Sequence, residues 1–332
     1  MAGNADTARH LLDEAATIWA AIGNPLGEAR VLLAQARLGG SDALTAAAEA
    51  EQTLRRLGAR TLAAEAAQVQ ADLARAARPP LTVRVLGGFV VERYGVPVPG
   101  SDWQSRKARD LFKVLIARRG HPVSREVLID LLWGDEDPSR VASRLSVTLS
   151  TLRSVLDPGK RFDNEHFVAN DRNAAWVRTE NMVIDFEVFL DDARAGLRTL
   201  AQGHSEAAAA LLARAEGAYG GEFLEEDLYE DWAVVPREEA RATYVSVTMA
   251  LADLALAGRD HDGAARYLLR VLARDAYDER AHLQLVTALS AAGRHGEARR
   301  MYRAYCDRMG QIGVEPAAFP EVGARRPAPS AA

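Results

Sequence analysis

The chain has 332 residues, a formal net charge of −5 and a single cysteine, Cys306. This length allows two or three domains, each with its own core. The negative net charge excludes the simple inference that a generally basic protein binds nucleic acid. A single cysteine excludes a disulfide framework and a thiolate metal site. No apolar run reaches the ~18 residues of a membrane-spanning helix and no signal peptide opens the chain, so we expect a cytoplasmic protein without a membrane partner.

Residues 4–77 consist almost entirely of helix-forming residues. Ala recurs with Leu, Ile and Val at helical spacing, and turns at "GNPLG", "GGSD" and "RLGA" divide the segment. Helices of about 15 residues between such turns predict hairpins of the tetratricopeptide type. Because few repeats fit before Pro79, we assign residues 1–78 to a helical repeat segment that either ends a longer array or packs on the rest of the molecule.

The pattern changes after Pro80. The stretch "LTVRVLGGFVVERYGVPV" alternates apolar and polar residues, which predicts two or three short antiparallel strands. Three helices are expected next: "SRKARDLFKVLIARRG", "SREVLIDLLW" with Ser124 as N-cap, and "SRVASRLSVTLSTLRSVL". A β-hairpin is then expected in "RFDNEHFVANDRNAAWVRT". Residues 79–180 form this predicted domain, with 16 Lys and Arg against 13 Asp and Glu, a local excess of three cations.

The third of these helices has an unusual second face. At about 100° per residue, one narrow stripe is aliphatic and predicts the core face: Val141, Leu145, Leu149, Leu152 and Leu156. The opposite face and its flank contain Arg140, Ser143, Arg144, Val147, Ser150, Thr151 and Ser154. Solvated faces usually mix Glu with Lys, and this face has no carboxylate. It suits duplex DNA, because Arg binds guanine edges, hydroxyls bind bases or phosphates, and Val can contact a thymine methyl.

Helical periodicity returns from Asn181. Gly258 and Gly293 are 35 positions apart, and Ala264 and Ala298 are 34 apart. This spacing is typical of tetratricopeptide repeats of about 34 residues. We assign residues 181–318 to a second tetratricopeptide-like domain and residues 319–332, rich in Pro and Ala, to a disordered tail. The acidic stretch "EEDLYEDW" at 225–232 is expected to be solvated or to face a partner.

Nothing in the sequence predicts catalysis. The seven His lack metal-ligand spacing, "LGGF" lacks the rest of a phosphate-binding motif, and no nucleophile has a base in motif context. The motif G-x-x-x-x-G-K-[ST] is also absent from the sequence. We therefore expect no enzymatic activity, no cofactor and no metal.

Two long segments resemble a known family. The run "RKARDLFKVLIARRGHPVSREVLIDLLW", then "RLSVTLSTLRSVLDP" and a hairpin, resembles the OmpR/PhoB-type winged helix, and more narrowly its form in SARP-type antibiotic regulatory proteins. The stretches "VIDFEVFLDDARAG", "AYGGEFLEEDLYEDWAVVPREEAR" and "DAYDERAHLQLVTALSAAGRHGEARRMYRAYCDRMGQIGVEP" resemble the bacterial transcriptional activator domain of the same family. The resemblance extends over residues 81–318.

This resemblance implies a recognition helix at 139–156 in the major groove and a wing at 167–178 near the adjacent minor groove. It also implies tetratricopeptide-like helices that support a DNA-bound dimer and help to recruit RNA polymerase. The fold class is then mostly α with a small β component: a winged helix-turn-helix flanked by tetratricopeptide-like α-helical repeats. The helices before Ala77 resemble the repeat arrays of larger regulators of this type, in which a sensor or NTPase lies upstream.

We predict a sequence-specific DNA-binding transcriptional activator that binds promoter DNA carrying repeats. The base contacts are assigned to Arg140, Ser143, Arg144, Val147, Ser150 and Thr151, and Ser154 is assigned to the same DNA-binding face. The phosphate contacts are assigned to Arg106, Lys107, Lys160 and Arg161, and Arg172 at the hairpin turn is assigned to a minor groove or a phosphate. Two alternatives stay open: a protein–protein interaction scaffold, and a regulator whose helical repeats bind a small-molecule or protein effector that switches DNA binding.

Overall fold

A computed structural model describes residues 2–40, 42–76, 79–134 and 138–320, and for residues 2–6, 74–76 and 138–142 it describes the backbone alone. The chain divides into two compact units. One comprises Met1–Leu81 with Glu92–Pro97, and the other comprises Thr82–Val91 with Val98–Ala332. Within the described ranges, no helix is both long enough and apolar enough to span a bilayer.

The first unit contains four helices that pack in sequence order: α1 (Ala2–Ile22), α2 (Pro25–Leu38), α3 (Ala43–Arg56) and α4 (Arg60–Ala76). Helix α2 begins after Asn24, whose side chain accepts the N–H of Gly27 at 3.1 Å, and Pro25 occupies the first helical position. Small and aliphatic residues fill the interior, among them Ala29, Leu33 and Leu54. These are the helical hairpins that the sequence predicted.

The winged-helix region contains seven short strands and three helices. In chain order they are β1 (Leu81–Arg84), β2 (Val90–Arg93), β3 (Val96–Pro97), α5 (Arg106–Ala117), β4 (Val123–Ser124), α6 (Arg125–Trp133), α7 (Pro138–Leu156), β5 (Val168–Asn170), β6 (Ala174–Val177) and β7 (Val183–Ile184). Ser124 caps α6 as predicted, because its hydroxyl accepts the N–H of Val127 at 3.3 Å. Leu111, Phe112, Leu128 and Leu145 are fully buried where the three helices meet.

The strands form two sheets. The first has the order β3-β2-β1-β7 and the second has the order β4-β6-β5. Pairing of β2 with β3 and of β5 with β6 is antiparallel, as expected for hairpins. Two strands were not anticipated: β7 pairs in parallel with β1, Thr82 opposite Val183, and β4 pairs antiparallel with β6, Val123 opposite Ala175. Each of these strands has only two residues, which is too short for an alternating pattern to indicate it.

Six helices complete the second unit: α8 (Asp185–Ala201), α9 (Ser205–Ala218), α10 (Asp231–Ala257), α11 (His261–Arg274), α12 (Glu279–Ala291) and α13 (His295–Gln311). The last four pack consecutively. The carboxylates of Asp260 and Asp278 cap α11 and α12 by accepting the N–H groups of Gly263 and Ala281, both at 2.8 Å. This is the tetratricopeptide-like arrangement that the repeat predicted.

The segment after α13 packs back on that helix. The hydroxyl of Tyr302 donates to the carbonyl of Ala317 at 2.8 Å, and the N–H of Ala317 donates to the hydroxyl of Tyr305 at 2.7 Å. Phe319, which the sequence assigned to the tail, meets the ring of Tyr302 edge-on at 5.1 Å between centroids. Residues 321–332 lie outside the described residues.

Candidate nucleic-acid interface

Helix α7 has the two faces that its sequence predicted. Leu145, Leu149, Leu152 and Leu156 are buried, as predicted for the core stripe, while the side chain of Val141 lies outside the described residues. The opposite face is exposed at Ser143, Arg144, Val147, Ser150 and Ser154, and Thr151 is half-buried at its flank. The side chain of Arg140 also lies outside the described residues.

Val147 is the most unusual residue of this face, because 65% of its surface is exposed in the middle of a helix. Burial of apolar surface stabilises by roughly 25 cal/mol per Å², so an exposed valine leaves this stabilisation unused. Ser and Arg side chains surround it, and residues 138–156 contain no Asp or Glu. The face therefore combines one aliphatic contact with hydrogen-bond donors and no negative charge.

One hydrogen bond in this region joins α7 to α6, and two others lie within α7. The guanidinium of Arg125 on α6 donates from Nη2 to the hydroxyl of Ser146 at 2.8 Å. The hydroxyl of Ser154 donates to the carbonyl of Ser150 at 3.0 Å, so this predicted site residue is engaged with its own helix. An additional bond runs from the hydroxyl of Thr148 to the carbonyl of Arg144 at 2.8 Å.

The wing is the sheet of β4, β6 and β5, and Arg172 lies exposed at the turn between β5 and β6. The carboxylate of Asp171 accepts the N–H groups of Asn173 and Ala174, both at 2.7 Å, and these bonds hold the pKa of Asp171 below its ordinary value. The carboxylate thus fixes the shape of the turn that carries Arg172.

Arg153 joins α7 to the wing, a role that the sequence did not indicate. Its Nε donates to the carbonyl of Val168 at 2.9 Å, and its Nη2 donates to Oδ1 of Asn170 at 2.5 Å. Only 14% of the side chain is exposed, and Glu165 lies 3.5 Å away. Burial lowers the pKa of Arg153, against the opposing effect of Glu165. The sequence identifies Arg153 only as a cation near the end of α7.

The predicted phosphate contacts differ in their surroundings. Arg106 in the first turn of α5 is exposed, as are Lys160 and Arg161 in the loop after α7. The ammonium of Lys107, although exposed, donates to the carbonyl of Leu132 near the end of α6. A cation at a helix C-terminus stabilises that helix, so Lys107 already has a structural partner.

A cluster of charges joins α5 to the acidic stretch, in which Glu226 is exposed and Asp227 is half-buried. The ammonium of Lys113, 3% exposed, donates to Asp227 at 2.7 Å and to Glu226 at 3.1 Å. Arg109 donates to Glu226 at 3.0 Å, and so does the N–H of Phe89 at 3.2 Å. A lysine on the buried face of α5 needs a counter-charge, and sequence reasoning missed that residues more than a hundred positions away supply it.

Two further contacts join the winged helix to the helices that follow it. Arg119 donates to Glu187 on α8 at 2.6 and 2.8 Å and to Glu239 on α10 at 3.0 Å. The carboxylate of Asp185 accepts the N–H groups of Val85 and Leu86 at 2.9 and 3.1 Å. Burial raises the pKa of Asp185 in spite of these bonds. These contacts lie within the second unit and join the segments after β1 and α5 to α8 and α10.

Comparison with known proteins gives two matches to family models. Residues 103–170 match the model described as "Transcriptional regulatory protein, C terminal", and residues 184–319 match the "Bacterial transcriptional activator domain". Together with the fold, they define a bacterial transcriptional regulator with an OmpR/PhoB-type winged helix. The presence of both domains supports the resemblance to the SARP-type activators.

Similar proteins include Regulatory protein AfsR of Streptomyces griseus, 27% identical over 200 residues, which are 60% of this chain and 20% of that protein. Regulatory protein AfsR of Streptomyces coelicolor is 28% identical over 236 residues, which are 68% of this chain and 23% of that protein. The chain therefore spans about a fifth of the length of these curated relatives.

The fold also resembles that of Mycobacterium tuberculosis EmbR, solved in complex with a low affinity phosphopeptide. The TM-score is 0.62 at 23% sequence identity, over 72% of this chain and 62% of that chain. At this level of identity the likeness is one of fold.

Proposed function

We propose that this protein binds promoter DNA sequence-specifically and activates transcription. The observation that carries the proposal is the exposed face of α7, which contains Ser143, Arg144, Val147 and Ser150 on a helix whose sequence has no Asp or Glu. The major groove of B-DNA is about 12 Å wide and admits a helix, and its base edges offer partners for each of these side chains. The matched family models support the same function.

In this proposal α7 lies in the major groove. Arg144 donates to a guanine, Val147 contacts a thymine methyl, and the hydroxyls of Ser143 and Ser150 bind bases or nearby phosphates. Arg140 and Thr151 extend this contact at its edges, and Ser154 contributes only if its hydroxyl leaves the carbonyl of Ser150.

The phosphate contacts position the module without reading sequence. Arg106, Lys160 and Arg161 are exposed and bind the backbone, while Arg172 at the wing turn reaches the adjacent minor groove. Lys107 contributes less, because its ammonium must first leave the carbonyl of Leu132.

The remaining parts of the chain complete the proposal. Residues 79–180 act as the DNA-binding domain, and residues 181–318 support a dimer on repeated half-sites and contact RNA polymerase in the cytoplasm. Residues 1–78 provide a helical surface for an effector. No observation on the described residues favours a pure scaffold over DNA binding.

Selection of genomic fragments by the purified protein, followed by mobility-shift titration, tests the proposal. The substitution R144A should weaken binding to the selected site by about 1–3 kcal/mol and relax the preference at one base pair. Arg266→Ala, which removes an exposed arginine from α11, is the matched control and should leave binding unchanged.

The salt dependence of the same titration gives a second test. Four phosphate contacts predict a slope of log K against log salt of roughly −3 to −4. Failure to retain any fragment, or a flat response to salt, contradicts DNA binding and favours the scaffold.

A further inference from the structure

We propose that Arg153 is a positioning residue that fixes the wing relative to the recognition helix. It would thereby determine which flanking DNA the wing reaches while α7 reads its bases. This inference rests on the proposed DNA binding, and it adds a residue that carries no DNA contact of its own.

The guanidinium of Arg153 is directed at the wing. Two hydrogen bonds of the guanidinium end on β5, at the carbonyl of Val168 and at the side chain of Asn170. With 14% of the side chain exposed, little of it is left for a phosphate. The planar guanidinium binds two acceptors in a fixed geometry, which a lysine ammonium does not reproduce.

A chain of hydrogen bonds continues from Arg153 to the wing turn. Asn170 accepts from Arg153 and donates from Nδ2 to the carbonyl of Asp171 at 3.1 Å. The carboxylate of Asp171 in turn holds the N–H groups of Asn173 and Ala174. Hydrogen bonds through Asn170 and Asp171 therefore connect helix α7 to the turn that contains Arg172.

This connection to α7 matters because the sheet of the wing is small. Strands β5 and β6 have three and four residues, and β4 adds only two. Small isolated hairpins are marginally stable in water, so the sheet alone does not hold the turn in one orientation. The N–H of Arg125 at the start of α6 donates to the carbonyl of Asn173 at 2.8 Å, and the half-buried, charge-assisted hydrogen bonds of Arg153 add a restraint from α7.

Hydrogen exchange of the free protein tests this restraint without DNA. In R153Q, the amides of Asn173 and Ala174 should exchange about tenfold faster, while the amide of Leu152 in α7 keeps its rate. R153K should give an intermediate increase. The matched control is R125Q, which removes an arginine that binds α7 at Ser146 and should leave the wing amides unchanged.

A double-mutant cycle with Arg172 tests the consequence for DNA. In the native protein R172A should weaken binding to the selected site about 3- to 10-fold, as expected for the loss of one arginine from the adjacent minor groove. In R153Q, R172A should change the Kd less than about twofold, because the displaced wing no longer delivers Arg172. In R125Q the full effect of R172A should persist.

Both the exchange measurement and the double-mutant cycle can contradict the positioning role of Arg153. Unchanged exchange at the wing amides, or additive effects of R153Q and R172A, overturns the positioning role. If R153Q does not fold, Asn170→Ala breaks the same chain of bonds while it retains Arg153, and it should shift exchange and coupling in the same direction. If the native protein selects no DNA, the proposed function fails, and the exchange measurement alone decides whether Arg153 holds the wing.

Discussion

At the scale of single residues, Val147 is the most informative side chain of α7. Its exposure is unfavourable in the free protein, and its neighbours are hydroxyls and Arg144. A thymine methyl in the major groove is an apolar partner for it, and neither phosphate nor water is. We therefore expect Val147 to contribute to specificity rather than to folding.

The substitution V147A should weaken binding by about 1 kcal/mol, since it removes two methyl groups from the contact, and should leave the unfolding temperature unchanged. Replacement of the contacted thymine by deoxyuridine should weaken native binding by a similar amount and have no further effect on V147A. Mobility-shift titration measures both effects. Val235→Ala, at an exposed position of α10, is the control. A full deoxyuridine effect in V147A would place the thymine contact elsewhere.

At the scale of elements, the glycines within helices α8 and α9 have opposite roles. A Cβ on Gly196 in α8 would lie 2.8 Å from Leu212 Cδ2 and 3.2 Å from the backbone N of Leu212 in α9, so glycine permits the helices to approach. A Cβ on Gly217 in α9 would meet nothing within 4 Å, so glycine there serves no packing purpose.

The substitution G196A should lower the free energy of unfolding by about 1–3 kcal/mol, because the added methyl overpacks the contact. The substitution G217A should raise it by about 0.5–1 kcal/mol, because glycine weakens a helix interior. Urea unfolding of both variants measures the difference. A tolerated G196A would show that the hairpin can separate without cost.

Local sequence signals predict the helices of the winged helix but not all of its strands. Helices α5, α6 and α7 follow from periodicity and from caps such as Ser124, which are local. Strands β4 and β7 have two residues each and are defined by their partners, which no local pattern reveals. The apolar stripe of α7 allows the exposed face opposite it to be predicted from the sequence. The role of Arg153 depends instead on the position of β5, which the sequence of α7 does not reveal.

At the scale of the whole molecule, the winged helix is coupled to the following helices through Lys113. Burial tends to raise the pKa of Glu226, but hydrogen bonds from Lys113 and from the N–H of Phe89 outweigh it, and the pKa lies below its ordinary value. The stabilisation is therefore present above about pH 4.5, the ordinary value, and is lost as the pH falls through the lowered pKa.

The substitution K113M should lower the free energy of unfolding at pH 7 by about 1–3 kcal/mol, less than for a fully buried pair, because Glu226 is 40% exposed and regains solvent. It should also reduce the loss of stability below pH 4.5. Urea unfolding as a function of pH measures both. An identical acid limb in K113M and the native protein would contradict the coupling.

The parallel pairing of β1 with β7 places Thr82 beside Val183, about a hundred positions later in the chain. The first and last strands of the winged helix are therefore neighbours in one sheet. A module whose ends meet can be inserted into a longer polypeptide without separating the segments on either side of it. Neighbouring ends therefore let the sheet of the winged helix close whatever segments are joined to it.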